Sequence, residues 1–577
     1  MRMLIIVAEK ASVARAIKEI IEKRGVKAVV LGLRGHVLDS DLEEKFRDWW
    51  KVDPAKILEL REFKTVIRDS KMYRELVRYF SNNYVEELVI ATDNDPEGEL
   101  IGWEVYTIFR RYNGFARITR MRFNAITQED IWKAWQEREE GLNMNWVWKS
   151  AFRRDFDLAT GAAFTRLLTL STRKRGYRGL ISWGSCQIPT LNYIVEREEE
   201  IMNFKPKPYW IISVKLETPF GEVFEARSEK IMDYGKAREI FEEVKNVKEA
   251  YVVDYRETVE VVRRPKPLRT DELLRDLNKI LGISTSKILR IAEELYSRGY
   301  ISYPRTDTNQ WSTSFNFHET ALIALNGLKL SLKISIDRPK PLNGSKNDGA
   351  HPPIYPTKPY IKDDSVEWSV WEYVARRFLA NVYGNDAEII KQRALIRIGR
   401  LDLKTSGSIF KKTGFFEIFP YFKPELKSIP ILSSKQVLRV LDVRLLEEKT
   451  KPPDRLTESE LLKLMERDHI GTDATRADYP DIIVERGYAK RVKKKVKPTK
   501  LGMFLIKCLR EVSPRLVSPE TRRMVEEYME KISAGSLSYE KALDTCLQIY
   551  HKLYSELASR IDVVADSLIK SIEEGGD

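Results

Sequence analysis

Cysteine and histidine are scarce in this sequence. Cys186, Cys508 and Cys546 are the only cysteines in 577 residues; they lie far apart and form no C-x-x-C pair. That excludes a zinc ribbon, whose ligands come in close pairs, and a disulfide scaffold. The expectation is a zinc-free protein of a reducing, cytoplasmic compartment. With five histidines against a large charged fraction, the composition also fits a thermophile-like surface. No apolar run approaches the ~18 residues of a membrane span, and the N-terminal MRMLIIVAEK lacks a signal-peptide core. A G-x-x-x-x-G-K-[ST] nucleotide loop is also missing, so ATP hydrolysis has no visible cradle.

Positive charge is in excess. Lys and Arg exceed Asp and Glu by 13 (99 against 86), and a chain this basic most often meets a polyanion, commonly nucleic acid. Apolar residues at 43% and charged residues at 32% place it among globular proteins. At ~150 residues per domain, the length suggests about four domains.

Short apolar runs at 4–8 and 87–91 alternate with helical patterns, which argues for a parallel sheet covered on both faces, ending near residue 150. Residues 151–202 read as helical, with a basic loop at 173–179. Period-two alternation from 207 and again over 391–446 reads as antiparallel strand, flanking a helical insert at about 266–357. The last 120 residues are helical, with a Lys-rich loop near 490–500. Residues 270–303 and 457–491 repeat one pattern: T-D/E-x-E-L-L-like start, helix, Gly, helix, then Arg-Gly-Tyr. Each reads as a helix-turn-helix with a wing, or as one of two unrelated helical hairpins.

The loop after the run at 87–91 is Thr92-Asp93-Asn94-Asp95-Pro96-Glu97-Gly98-Glu99. Ligands in open α/β sheets sit at the carboxyl ends of strands. Crowded carboxylates repel unless a cation or proton intervenes, and hard oxygens suit Mg²⁺. The plain alternative is an acidic turn capping the next helix. The first strand ends at Ala8-Glu9-Lys10; on a neighbouring strand, Glu9 and Lys10 flank the acidic loop, where an acid can serve a leaving alkoxide.

Tyr303 precedes Pro304 and Arg305. Pro304 favours an extended Tyr303 and sets Arg305 on the same side. A phenol with pKa ~10 needs a cation to attack a phosphodiester, and Arg305 is permanently charged and forked to match phosphate oxygens. Tyr303 is also one of 25 tyrosines, most of which pack in cores. His351, in a stiff Ala-His-Pro-Pro loop, can address a phosphate or simply pack.

These residues together resemble the type IA DNA topoisomerases, most closely the topoisomerase III branch of archaea and eukaryotes, over nearly the whole chain. The resemblance is carried by Glu9-Lys10, the Toprim D-x-D-x-E at Asp93, Asp95 and Glu97, R-F-N-A-I-T (122–127), and Arg153, Asp157 and Gly161. It continues through G-S-C-Q-I-P-T-L (184–191), G-Y-I-S-Y-P-R-T-D-T (299–308), A-H-P-P-I-Y-P-T (350–357) and H-I-G-T-D-A-T-R (469–476). Ser185 and Thr472 stand where bacterial relatives carry Arg, as in the eukaryotic form.

The resemblance implies a multidomain α/β and α+β toroid with a central hole. Its parts would be a Toprim domain (1–150), a split helical domain (151–202 and 451–577), a split β-rich arch (203–262 and 358–450) and a winged-helix-like insert (263–357) with the tyrosine. It implies ATP-independent strand passage through a 5′-phosphotyrosine, relaxing negative supercoils or decatenating DNA. Tyr303, Arg305, Glu9, Lys10 and His351 would be catalytic, and Glu9, Asp93, Asp95 and Glu97 would hold Mg²⁺. DNA contacts are implied at Arg153, Asp157, Ser185, Gln187 and Thr475. Arg491, Lys493, Lys494 and Lys495 would grip phosphates, or form a solvated basic turn. The implied partners are single-stranded DNA, negatively supercoiled or catenated DNA, and single-strand-binding or helicase proteins, with no membrane. The implied state is a cytoplasmic, nucleoid-associated monomer. A Toprim nuclease or a non-catalytic single-stranded DNA clamp is the rival reading, and a reverse gyrase would need the nucleotide loop this chain lacks.

Overall fold

A computed structural model describes residues 3–82, 84–329, 336–472 and 475–573. Asp473 and Ala474 of the H-I-G-T-D-A-T-R segment lie outside them.

The N-terminal domain is a five-stranded sheet in the order Val29–Gly32, Met3–Ala8, Val85–Ala91, Arg117–Arg120, Glu139–Glu140. The first four strands are parallel and the last is antiparallel. Ile5–Ala8 and Leu88–Ala91 are wholly buried, as central strands covered by helices on both faces require, which is why they read as unbroken apolar runs. Val7 pairs with Ile90 and Ala8 with Ala91. The register therefore delivers Glu9-Lys10 and Thr92-Asp93 side by side at one sheet edge.

The β-rich segments form a closed six-stranded barrel: Glu249–Val262, Ala387–Ile398, Leu401–Lys412, Val223–Arg227, Pro208–Glu217 and Val437–Lys449, which pairs back with the first. The chain enters and leaves this barrel at four places, twice on the helical side and twice on the tyrosine-bearing side. The helical side shares one core from Phe152 through Leu568. The tyrosine-bearing unit docks on both the N-terminal sheet domain and the C-terminal helices. The arrangement closes into a toroid whose gate is a noncovalent contact.

One boundary differs from the sequence reading. Helix Val366–Tyr383, expected in the arch, packs with the tyrosine-bearing unit: Trp371 and Phe378 share a core with Ile301 and Tyr303. The Trp371 indole N–H donates to the Tyr300 carbonyl (3.2 Å). This helix is apolar around most of its circumference, so periodicity could not assign its neighbour. The insert thus runs on to about residue 386.

The two repeated segments are both helix pairs, Thr270–Leu281 with Thr285–Ser297 and Glu458–Arg467 with Tyr479–Glu485. They dock reciprocally: the Thr285 N–H donates to Glu458 (3.0 Å), and Arg476 pairs with Asp271. Only the second carries a hairpin wing, Ala489–Val492 with Lys495–Pro498. Ile301 makes an isolated bridge to Pro356 instead.

Candidate active site

Five backbone segments meet where the tyrosine-bearing unit touches the sheet edge. The Asp93 N–H donates to the Glu9 carboxylate (3.1 Å), and Lys10 Nζ lies 3.4 Å from Asp93 Oδ2. Asp95 caps helix Pro96–Arg110 by accepting from the Gly98 N–H (2.7 Å), so the capping alternative is true as well as compatible with chemistry. From the facing unit, the Tyr303 hydroxyl donates to Asp95 Oδ2 at 2.5 Å, and the Tyr296 hydroxyl to Asp93 Oδ1 at 3.3 Å. The gate is stitched by the Tyr303 N–H to the Asn124 carbonyl (2.8 Å) and the Asn124 amide to the Ala350 carbonyl (3.0 Å). The R-F-N-A-I-T segment is therefore a gate surface.

Burial and the neighbouring Asp93 push the Glu9 carboxyl up to about 8. Burial raises Asp93 too, against the pull of Lys10, and Asp95 raises it further. For Lys10, burial lowers the value, but Asp93 and Glu9 outweigh it and hold the ammonium above the ordinary lysine range. Burial, then Asp95 and Asp93, raises the Tyr303 phenol well above its usual value. The resting tyrosine is a protonated hydrogen-bond donor.

Arg305 is gripped by Glu293 through Nε (2.6 Å) and a second guanidinium nitrogen. The His351 ring lies against Tyr303, centroids 5.0 Å apart. A cleft of about 860 Å³ leads to this point, lined among others by Asp95, Arg153, Arg305, Lys346, His351 and Arg523.

Other expected positions fall elsewhere. Glu97 does not join Asp93 and Asp95: Arg153 (2.6 Å) and His36 (3.0 Å) hold its carboxylate. Although burial raises it, these partners bring Glu97 down to about 2. Among the described residues, no three acidic, His or Cys side chains form a ready ligand cage. Asp157 accepts from Ser185 (3.0 Å) and Arg522 (2.7 Å), Gln187 is buried and donates to Ser182 (3.2 Å), and the Thr472 N–H donates to Thr475 (3.0 Å). Arg491 is engaged by Glu458 and Asp481, Lys495 by Asp454 (2.6 Å), and Lys494 reaches the Lys279 carbonyl (3.3 Å). Lys493 sits at the hairpin tip with φ 57°. Of these contacts only the one from Lys494 reaches the other helix pair, and Lys490 to Lys494 remain exposed.

Several site-building residues carry no local signal. Arg120, wholly buried, donates to the Thr92 (2.8 Å) and Asp93 (2.7 Å) carbonyls and pairs with buried Glu99 (2.9 Å). It fixes the backbone of the acidic loop. Arg120→Met leaves Glu99 with Arg122 and the Asn143 N–H, and takes a donor from the Thr92, Asp93 and Met121 carbonyls. It is expected to cost about 3–5 kcal/mol, seen as a large downward shift in the thermal unfolding of the N-terminal domain. His36 bridges Glu97 and Glu104 (2.7 Å). Burial lowers its value, but the two carboxylates bring it up to about 10.

Two family models match this architecture: the Toprim domain over residues 4–126 and the DNA topoisomerase family over 141–544. Together they define a Toprim-containing DNA topoisomerase. Relatives include DNA topoisomerase 1 of Thermoplasma acidophilum, 34% identical over 96% of this chain and 71% of that protein. DNA topoisomerase 3-beta-1 of Mus musculus is 31% identical over 96% of this chain and 69% of that protein. The full-length topoisomerase I from Thermotoga maritima shares the fold with a TM-score of 0.71, over 99% of this chain and 90% of that one, at 22% identity. The chain belongs to the type IA DNA topoisomerases and is topoisomerase III-like. The Toprim domain is a Mg²⁺-binding fold, and type IA enzymes act on DNA, chiefly where it is single-stranded, without ATP. No described helix is long and apolar enough to cross a membrane.

Proposed function

We propose that this chain cuts one DNA strand with Tyr303, passes another strand through the gate and reseals the first, with Glu9, Lys10, Arg305, His351 and the Asp93–Asp95 pair as the working groups. The observation that carries the reading is the 2.5 Å contact between the Tyr303 hydroxyl and Asp95. It joins the nucleophile of one unit to the acidic edge of another across a noncovalent interface.

A strand entering the cleft brings a phosphate between Tyr303 and Lys10. The Tyr303 oxygen forms a bond to phosphorus, its proton passing to Asp95, while the bond from phosphorus to the 3′-oxygen breaks. Glu9, protonated at neutral pH by its raised value, gives its proton to the departing 3′-oxygen. Arg305 and Lys10 stabilise the charge on the phosphorane. The products are a 5′-phosphotyrosine and a 3′-hydroxyl; the reverse reaction reseals with no net cost in bond energy.

The hard-oxygen pair Asp93–Asp95, of which Asp93 is buried and raised by that burial and by Asp95 beside it, suits a divalent cation, and Mg²⁺ held there would compensate charge on the cut end. Glu97 supports that site from outside, through Arg153 and His36. The arch (203–262 and about 387–450) connects both sides of the gate, so its flexing separates Tyr303 from the sheet edge. Arg153, Arg523 and Lys346 give the cleft cations for the backbone of a single strand. Single-strand-binding or helicase proteins are the partners that would supply such strands.

The test is relaxation of negatively supercoiled plasmid with Mg²⁺ and no nucleotide. Stepwise changes of one in linking number, stopped by chelation, are expected. Binding without linking-number change would favour the clamp, and nicking without a covalent adduct the nuclease.

A further inference from the structure

In the sequence, His351 has a phosphate to address but no visible partner to hold it. The structure supplies a holder. Asp348 Oδ2 lies 3.1 Å from His351 Nδ1, while Oδ1 accepts the N–H groups of Ala350 and His351, both at 2.9 Å. The same carboxylate accepts from the Thr306 hydroxyl (3.2 Å) and the Asp307 N–H (3.3 Å), and the Asp348 N–H donates to Thr308 (2.9 Å). Thr306 to Thr308 immediately follow Tyr303-Pro304-Arg305. One acidic side chain thus ties the histidine loop to the tyrosine segment.

The ring it holds is nearly buried, at 7% exposure, and leans on Tyr303 at 31°. With Nδ1 turned to Asp348, Nε2 is the nitrogen with which His351 would meet a phosphate beside Tyr303. We propose that Asp348 is a positioning residue that sets the His351 ring by its Nδ1 and keeps it doubly protonated, so that a cationic N–H donor meets the scissile phosphate. This rests on the assignment of Tyr303 as nucleophile. Although burial raises the Asp348 carboxyl, the hydrogen bond and charge of His351 and the two backbone N–H groups hold it well below the usual carboxylate range.

Charged groups lining the two clefts that meet at His351 include Asp95, Arg305, Asp307 and Lys346 on one side and Arg122 and Asp130 on the other, and acidic side chains outnumber basic ones in both. Asp348 is the carboxylate in hydrogen-bonding distance of the ring. In Asp348→Asn the amide keeps an oxygen for the Ala350 and His351 N–H groups but presents N–H to Nδ1, which favours a neutral ring.

The experiment has two arms. In the first, the covalent adduct with end-labelled single-stranded DNA is measured from pH 6 to 9 for the wild type and Asp348→Asn. The variant is expected to lose adduct as pH rises at least one unit earlier than the wild type, a deficit of about tenfold near pH 8 that shrinks as pH falls. An equal deficit at every pH, or none, overturns the proposal. The second arm does not depend on the folding of Asp348→Asn. The protein has five histidines, and ¹⁵N-histidine spectra of the wild type, with the His351 signal identified by its loss in His351→Gln, read the ring directly. A doubly protonated ring at pH 7.5 is expected; a neutral one overturns the proposal. Tyr303→Phe, run alongside, separates the two assignments. If it still forms adduct, the nucleophile is misassigned, whereas adduct loss there with a wild-type Asp348→Asn profile removes only the role of Asp348.

Discussion

Tyr303→Phe is expected to abolish the covalent adduct and reduce plasmid relaxation by at least about 10⁴-fold, while single-stranded DNA binding stays within a few-fold of wild type. The substitution removes one oxygen. The Phe ring retains the edge-on packing against Tyr296, centroids 5.2 Å apart, and the backbone hydrogen bond to Asn124. Asp95 loses the phenol hydrogen bond but keeps the Gly98 N–H, so the cost in gate stability is about 1 kcal/mol. A large loss of chemistry with a small loss of stability is the signature of a nucleophile. Gel retardation and adduct trapping on the same preparation separate the two.

Glu9→Gln is the second large effect, a loss of about 10²–10⁴-fold in cleavage and in religation. The amide still accepts the Asp93 N–H, so the local fold survives, but it has no proton of suitable acidity for the 3′-oxygen. The pH dependence follows from the raised value. In wild type the acid form is available below about 8, so single-turnover cleavage falls as pH rises through that value, and in Glu9→Gln this limb disappears. Stability carries the same sign. A carboxyl raised from 4.5 to about 8 contributes stability that is full below 4.5 and is lost as pH rises towards 8. Thermal unfolding of the wild type should therefore weaken over that range more than that of Glu9→Gln. Because Glu9 and Asp93 share one buried site, the observed limb belongs to the pair.

The parts of the site that could be read in the sequence are those where chemistry and chain are contiguous. Glu9-Lys10 follows an apolar run, Asp93 and Asp95 follow another, and Tyr303, Pro304 and Arg305 adjoin. The parallel register of Ala8 with Ala91 then makes two separate strings one site. What the sequence concealed depends on partners distant along the chain. Arg120 ends an unremarkable strand, and only the fold turns its guanidinium onto the carbonyls of residues 92 and 93. Glu97 looks like a third ligand by spacing, yet helix geometry points it at Arg153 and His36, residues 56 and 61 positions away. Glu293 and Tyr296 lie on the helix before the tyrosine and read as ordinary amphipathic positions, yet Glu293 holds Arg305 within the unit and Tyr296 meets Asp93 across the gate.

Fold organisation divides the same way. Period-two alternation revealed both halves of the barrel, because each strand has one buried face. Helix Val366–Tyr383 is buried on most sides, so no alternation in the sequence marks which unit it packs with. The repeat was visible, but its docking was not. Around Arg491 the sequence shows the charge but not the carboxylates of Glu458, Asp481 and Asp454 opposite it.

The most direct test of the account is to identify the amino acid and the DNA end in the trapped adduct. Single-stranded DNA ³²P-labelled at the scissile phosphate is cleaved, the complex is denatured and digested with protease, and the labelled peptide is sequenced. Label on Tyr303 through a 5′-phosphate, with a free 3′-hydroxyl on the released fragment, is the predicted result. Label on another residue, or a 3′-phosphate linkage, would contradict it.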